Sequence, residues 1–197
     1  MLACCRPALL VVIGGCDLVF PLRAPDAVPD ATLDAVDSLD APADAPRDAF
    51  FGCPASYDQP FNGHVYRFEL ATQKTWLNAA ADCADDETGD GIHFTHLAVL
   101  GDEQERSGVQ ALAPGRVLWL GLSDINQEAT FLWVTAEATS GYPPSSGALW
   151  SGGAPNGDGD CVQYVGDADL DDLDCSVPRL FVCECDQSAN VPSRYGQ

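Results

Sequence analysis

At 197 residues and 46% hydrophobic composition, the chain has room for one ordinary domain with extensions, and enough apolar residues for a real core. Nine Lys and Arg against thirty Asp and Glu leave a formal charge of −21, the wrong sign for nucleic acid or an anionic membrane surface. Cations, neutral sugars and basic proteins stay open, whereas three histidines without any Cys-x-x-Cys make a structural zinc site a poor fit.

Residues 1–15 carry one Arg and then an apolar run ending in two glycines, too short to span a bilayer and matching a signal-peptide core. Ile13, Gly14 and Gly15 before Cys16 resemble a bacterial lipobox. That resemblance implies a lipoprotein whose mature chain begins at Cys16 and touches a membrane through a lipid anchor only. An ordinary secretory signal with a coincidental cysteine is the alternative. Residues 16–52 then form a tether, rich in Ala, Asp and Pro beyond residue 20. Pro25, Pro29, Pro42 and Pro46 break helices there, and the aspartates repel one another, so an extended, disordered spacer is expected.

The folded domain is expected over 53–185, with 186–197 as a C-terminal tail. Residues 65–70 alternate like a strand, with Tyr66, Phe68 and Leu70 on one face. Thr75 can cap a helix that starts at Trp76 and carries Trp76, Ala80 and Cys83 on one side. Asp102 and Glu105 read as a capping box opening a second helix, with Val109 and Leu112 inward and Gly115 ending it. The continuous apolar run 117–122 predicts a buried central strand; 131–134, 161–165 and 180–183 predict further strands. Helices early and short strands late argue an α+β fold.

Cys53, Cys83, Cys161, Cys175, Cys183 and Cys185 fall in the folded part. An even set behind a secretory-looking start implies export, oxidation and up to three bridges, with about fifteen connectivities open. Residues 150–175 are led by Trp150 and crowded with Gly, Asp and Asn. Seven aspartates lie between Asn156 and Cys175, with no Lys or Arg among them. Carboxylates at that density persist in a folded loop when water solvates them or a hard cation draws them together, and an all-oxygen set suits Ca²⁺. A solvated acidic surface loop is the plainer reading.

In this order the features resemble the C-type lectin-like domain, over roughly Cys53 to Cys185. The resemblance is carried by Tyr66-Arg67-Phe68, by Thr75 to Ala80 with Cys83, and by His96-Leu97-Ala98-Val99-Leu100. Trp119-Leu120-Gly121-Leu122, Trp133, Trp150, Cys161, Cys175 and Cys183 complete it. It implies two helices flanking small antiparallel sheets and a long disulfide-closed loop. It also implies Cys83–Cys183 and Cys161–Cys175 pairing; Cys53 and Cys185 remain, and their pairing would tie the chain ends.

In sugar-binding members of that family, one Ca²⁺ is shared between loop carboxylates and two sugar hydroxyls. Carried over, the resemblance implies Asn156, Asp160, Asp171 and Asp172 as metal ligands, with Asp158 joining them around a glycan. Ala154 departs from the pattern, because the family has Glu or Gln there, and the acidic ligand before the loop cysteine falls on Gly159. The expected function is therefore a surface-tethered carbohydrate-binding module, with a glycan or glycoconjugate as partner and Ca²⁺ as cofactor. The alternative is a Ca²⁺-independent protein-interaction or structural module on the same fold. His64, His93 and His96 form no nucleophile motif, so no enzyme is expected.

Overall fold

The structure is a computed structural model of the whole chain, and its description covers residues 52–87, 89, 91–92, 94–137, 141–144, 147–166 and 169–196. The signal segment, Cys16, all of the tether but Gly52, and His93 lie outside the described residues.

Strand β1 (Gln59–Phe61) and strand β2 (His64–Lys74) form an antiparallel hairpin turned by Asn62 and Gly63. Helix α1 (Trp76–Ala84) starts where the Thr75 hydroxyl accepts the Asn78 N–H, and it buries Trp76, Ala79, Ala80 and Cys83. Strand β3 (Phe94–Leu97) leads to helix α2 (Glu103–Leu112), whose first turn is capped by Asp102 accepting the Glu105 N–H at 2.9 Å. The Glu105 side chain does not stay at the surface as an ordinary capping glutamate would. It turns back to accept the Gly101 N–H at 2.6 Å and the Tyr66 hydroxyl at 2.5 Å, and is buried.

Strand β4 (Leu118–Ser123) is buried at every position, as its unbroken apolar run predicts. Short β5 (Leu132–Trp133) lies against it, and β6 (Cys161–Val165), β7 (Asp169–Leu173) and β8 (Arg179–Asp186) complete the chain. The order is β1-β2-β8-β4-β6-β7, with β3 added on β8 and β5 on β4.

Two expectations are corrected here. The separate small antiparallel sheets are one eight-stranded sheet, and β4 runs parallel to β8 through Leu118–Leu180 and Trp119–Phe181. The chain reverses from β4 into β5 and β6 and again at the β6–β7 turn, so β7 and β8 both run in the direction of β4. Leu70, expected on the buried face, is 42% exposed, because β2 loses its register with β8 between Glu69 and Lys74.

Three disulfides staple the sheet. Cys83–Cys183 holds α1 to β8, Cys161–Cys175 closes the segment containing β7, and Cys53–Cys185 ties the start of the domain to its last strand. All four tryptophans are buried, and each indole N–H finds a backbone carbonyl: Trp76 to Leu120, Trp119 to Lys74, Trp133 to Tyr142, Trp150 to Pro144. A donor satisfied in this way lets a large ring enter a core without an unpaired polar atom. Beyond β8 the chain folds back, and Tyr195 packs edge-on against Trp76 at 5.4 Å between ring centroids. Trp150 packs against Phe131 and is core.

Candidate functional site

The long loop between β5 and β6 ends against β7, and Asp172 decides how. In β7 the residues alternate in burial, so the adjacent Asp171 and Asp172 point to opposite faces. Asp172 is almost fully buried, and its carboxylate accepts the Asn156 N–H at 2.9 Å and the Gly157 N–H at 2.8 Å. A buried carboxylate gathering two backbone amides fixes the loop at 154–157, where the Ala154–Pro155 peptide is cis. Asp171 faces away: it accepts the Gln163 side-chain amide at 2.9 Å, and Gln163 in turn accepts the Arg179 Nε–H.

The remaining sequence-derived positions separate further. The Asn156 side chain is folded onto Asp158, accepting its N–H at 2.9 Å and donating to its carboxylate at 3.2 Å. Asp158 is exposed and Asp160 half-buried. Thus Asn156 and Asp158 meet each other, Asp172 meets their loop from below, and Asp171 belongs to a different surface. Gly159, which stands where the resembled family has an acidic ligand, cannot carry a side chain. A Cβ there would lie 1.8 Å from the Leu173 carbonyl carbon and 2.0 Å from the Asp174 nitrogen.

Two acidic residues unrecognised in the sequence join Asp172. A cavity of about 220 Å³ is lined by Asp124, Glu128, Phe131, Pro155, Gly157 and Asp172. Asp124 follows β4 directly and is 4% exposed; one carboxylate oxygen accepts the Ala129 N–H at 2.7 Å, while the other, Oδ1, is buried without a hydrogen-bond partner. Burial raises the Asp124 carboxyl above its ordinary range, and the Glu128 and Asp160 carboxylates push it the same way. Glu128 reaches the loop from the other side: a Cβ on Gly157 would sit 3.3 Å from its Oε1. The sequence signal was present, an Asp closing the buried strand and a Glu four residues later, but it lies far from the acidic loop it completes.

The cavity is not a finished cage. Among the described residues, no three carboxylates around it bring their oxygens within 4.8 Å of one another. Unneutralised carboxylates repel, and the orphaned Asp124 oxygen is where a hard cation would gain most.

Among known proteins, the profile of the lectin C-type domain matches residues 72–185. CD209 antigen-like protein D of Mus musculus is 33% identical over 127 residues, which are 63% of this chain and 48% of that protein. The chain therefore spans about half the length of this curated relative. The cow C-type carbohydrate-recognition domain of CD23, solved in the presence of a GlcNAc2Man3 oligosaccharide, superposes with a TM-score of 0.53 at 24% identity, over 67% of this chain and 94% of its own. A calcium-independent type II antifreeze protein superposes with a TM-score of 0.52, also at 24% identity, over 69% of this chain and 95% of its own. At these identities the likeness to solved structures is one of fold.

Proposed function

The chain belongs to the C-type lectin domain family, and we propose that it is an exported glycan-recognition module whose long loop is braced by Ca²⁺. Membership makes it a binding domain, not an enzyme. The observation that carries the Ca²⁺ part is the buried, unpartnered Oδ1 of Asp124 in the wall of a cavity whose ionisable lining residues, Asp124, Glu128 and Asp172, are all carboxylic acids. Asp124, Glu128 and Asp172 fit a hard cation, with Asp160 beside them; the ion supplies the positive charge that this end of the loop lacks. Asp172 would do double work, holding the 156–157 amides while facing the same cavity.

The ligand set carried over from sugar-binding relatives fits less well. Ala154 has no carboxylate, Gly159 has no room for one, and Asp171 is engaged with Gln163. In this reading the glycan is held at the exposed rim, by Asn156 and Asp158, rather than through a complete shell of shared metal ligands. Those same departures favour the second reading, a Ca²⁺-independent interaction module; a calcium-independent protein does share the fold.

Export is supported by six paired cysteines, which persist in oxidising compartments. A lipid anchor at Cys16 and a tether up to residue 52 belong to the proposal. Among the described residues no helix is long and apolar enough to cross a membrane.

A glycan array probed in Ca²⁺ and again in chelator tests the reading. Binding to a defined glycan set that chelation abolishes is expected. Binding untouched by chelation removes the Ca²⁺ part, and an empty array in both conditions leaves the interaction module.

A further inference from the structure

A second group of ligand-type side chains lies away from the long loop, where β2, β3, β8 and α2 meet. His64 opens β2, Glu105 sits in the first turn of α2 and Glu184 lies in β8, and one ligand atom from each falls within 4.8 Å of the other two. The His64 Nδ1 hydrogen-bonds Glu184 Oε1 and lies 3.5 Å from Glu105 Oε1. Each glutamate is held from behind by a backbone amide: Val99 N–H on Glu184 Oε2 at 2.8 Å, Gly101 N–H on Glu105 Oε2 at 2.6 Å. With those oxygens fixed, both Oε1 atoms are turned toward the imidazole. This is a positioned set of donors, not a loose acidic surface, since Glu105 and Glu184 are both buried.

The charge around the group is also incomplete. Asp186 lies 3.8 Å from His64 Nδ1 and 3.1 Å from His96 Nε2, and half-buried Glu137 faces Asp186, His96 and Glu105. Four acidic side chains thus crowd two imidazoles, and burial lifts the Glu184 and Glu137 carboxyls above their ordinary range, as expected where acids are buried without a full set of cationic partners.

We propose that His64, Glu105 and Glu184 form a site for a borderline divalent transition ion of the Zn²⁺ class, separate from the Ca²⁺ loop. One imidazole and two carboxylates suit such an ion, whereas Ca²⁺ prefers oxygen alone. Tetrahedral bonds to zinc separate ligand atoms by about 3.3 Å, close to the His64–Glu105 spacing. The proton between His64 and Glu184 is what the ion would displace, as metal binding releases ligand protons. His64, its side chain 30% exposed, leaves a side open for entry and for a water as fourth ligand. Tyr66, donating to Glu105 Oε1, would steady that carboxylate from the second layer. The other close group, Asp82 with Asp86 and Cys183, is unsuited: its sulfur is in a disulfide and Arg67 already pairs both carboxylates.

The test is a Co²⁺ titration of the oxidised full chain with Ca²⁺ in excess. One equivalent of visible ligand-field absorption is expected, displaced by Zn²⁺. His64→Ala and Glu105→Gln should each weaken it by about 100-fold or more, and Asp172→Asn should leave it unchanged. Because a variant can lose its fold, the wild type is also read directly: Zn²⁺ should protect His64 from diethyl pyrocarbonate. Absence of the absorption, its persistence in folded His64→Ala, or modification of His64 at the same rate with and without Zn²⁺ overturns the site.

Discussion

Replacing Asp172 with alanine is expected to destabilise the domain by about 3 kcal/mol, since hydrogen bonds to charged groups contribute about 1.5–3 kcal/mol each and the two part-buried ones lost here fall at the lower end of that range. The Asn156 and Gly157 amides would be left facing a cavity with no acceptor, and the loop at 154–157 would detach from β7. Asp172→Asn separates the two roles of the carboxylate. It keeps one acceptor oxygen, so it should cost less stability, but it removes a negative charge from the proposed cation site. Urea unfolding gives the first quantity, and the Ca²⁺-induced shift of the same curve gives the second. An alanine variant as stable as the parent would mean that the loop is anchored elsewhere.

Gly159→Ala is expected to cost about 3 kcal/mol, at the upper end of overpacking penalties, because the contacted atoms are backbone rather than a yielding side chain. For a chain of this size that corresponds to a fall of roughly 6–12 °C in melting temperature. The clash is with Leu173 and Asp174, so the Cys161–Cys175 segment must open to relieve it. The same geometry predicts that inserting an acidic residue at 159, where the resembled family keeps one, weakens the loop rather than improving its metal affinity. Unchanged melting of Gly159→Ala would contradict the close approach of the two backbones.

What was legible in the sequence was whatever a local pattern encodes. The run 117–122 announced a buried strand because every side chain is apolar, and Asp102 with Glu105 announced a helix start because a cap acts over three residues. Strand β7 was invisible for the opposite reason: Asp-Leu-Asp-Asp-Leu has the composition of a loop, and only pairing with β6 makes it a strand. That miss hid the alternation that sends Asp171 and Asp172 to opposite faces. Asp124 and Glu128 were missed because a site is assembled across the fold, and nothing local ties the end of β4 to a loop thirty residues later. His64 with Glu105 and Glu184 is the extreme case, three residues from three elements joined only by the sheet and the α2 cap.

The central proposal is that the acidic cavity beneath the long loop holds Ca²⁺. Thermal unfolding of the full chain in Ca²⁺ and in chelator tests it most directly. At free Ca²⁺ about a hundredfold above its Kd, the folded state should gain about 2.7 kcal/mol, and Asp124→Asn should lose most of that gain. Superimposable melting curves with and without millimolar Ca²⁺ would contradict it.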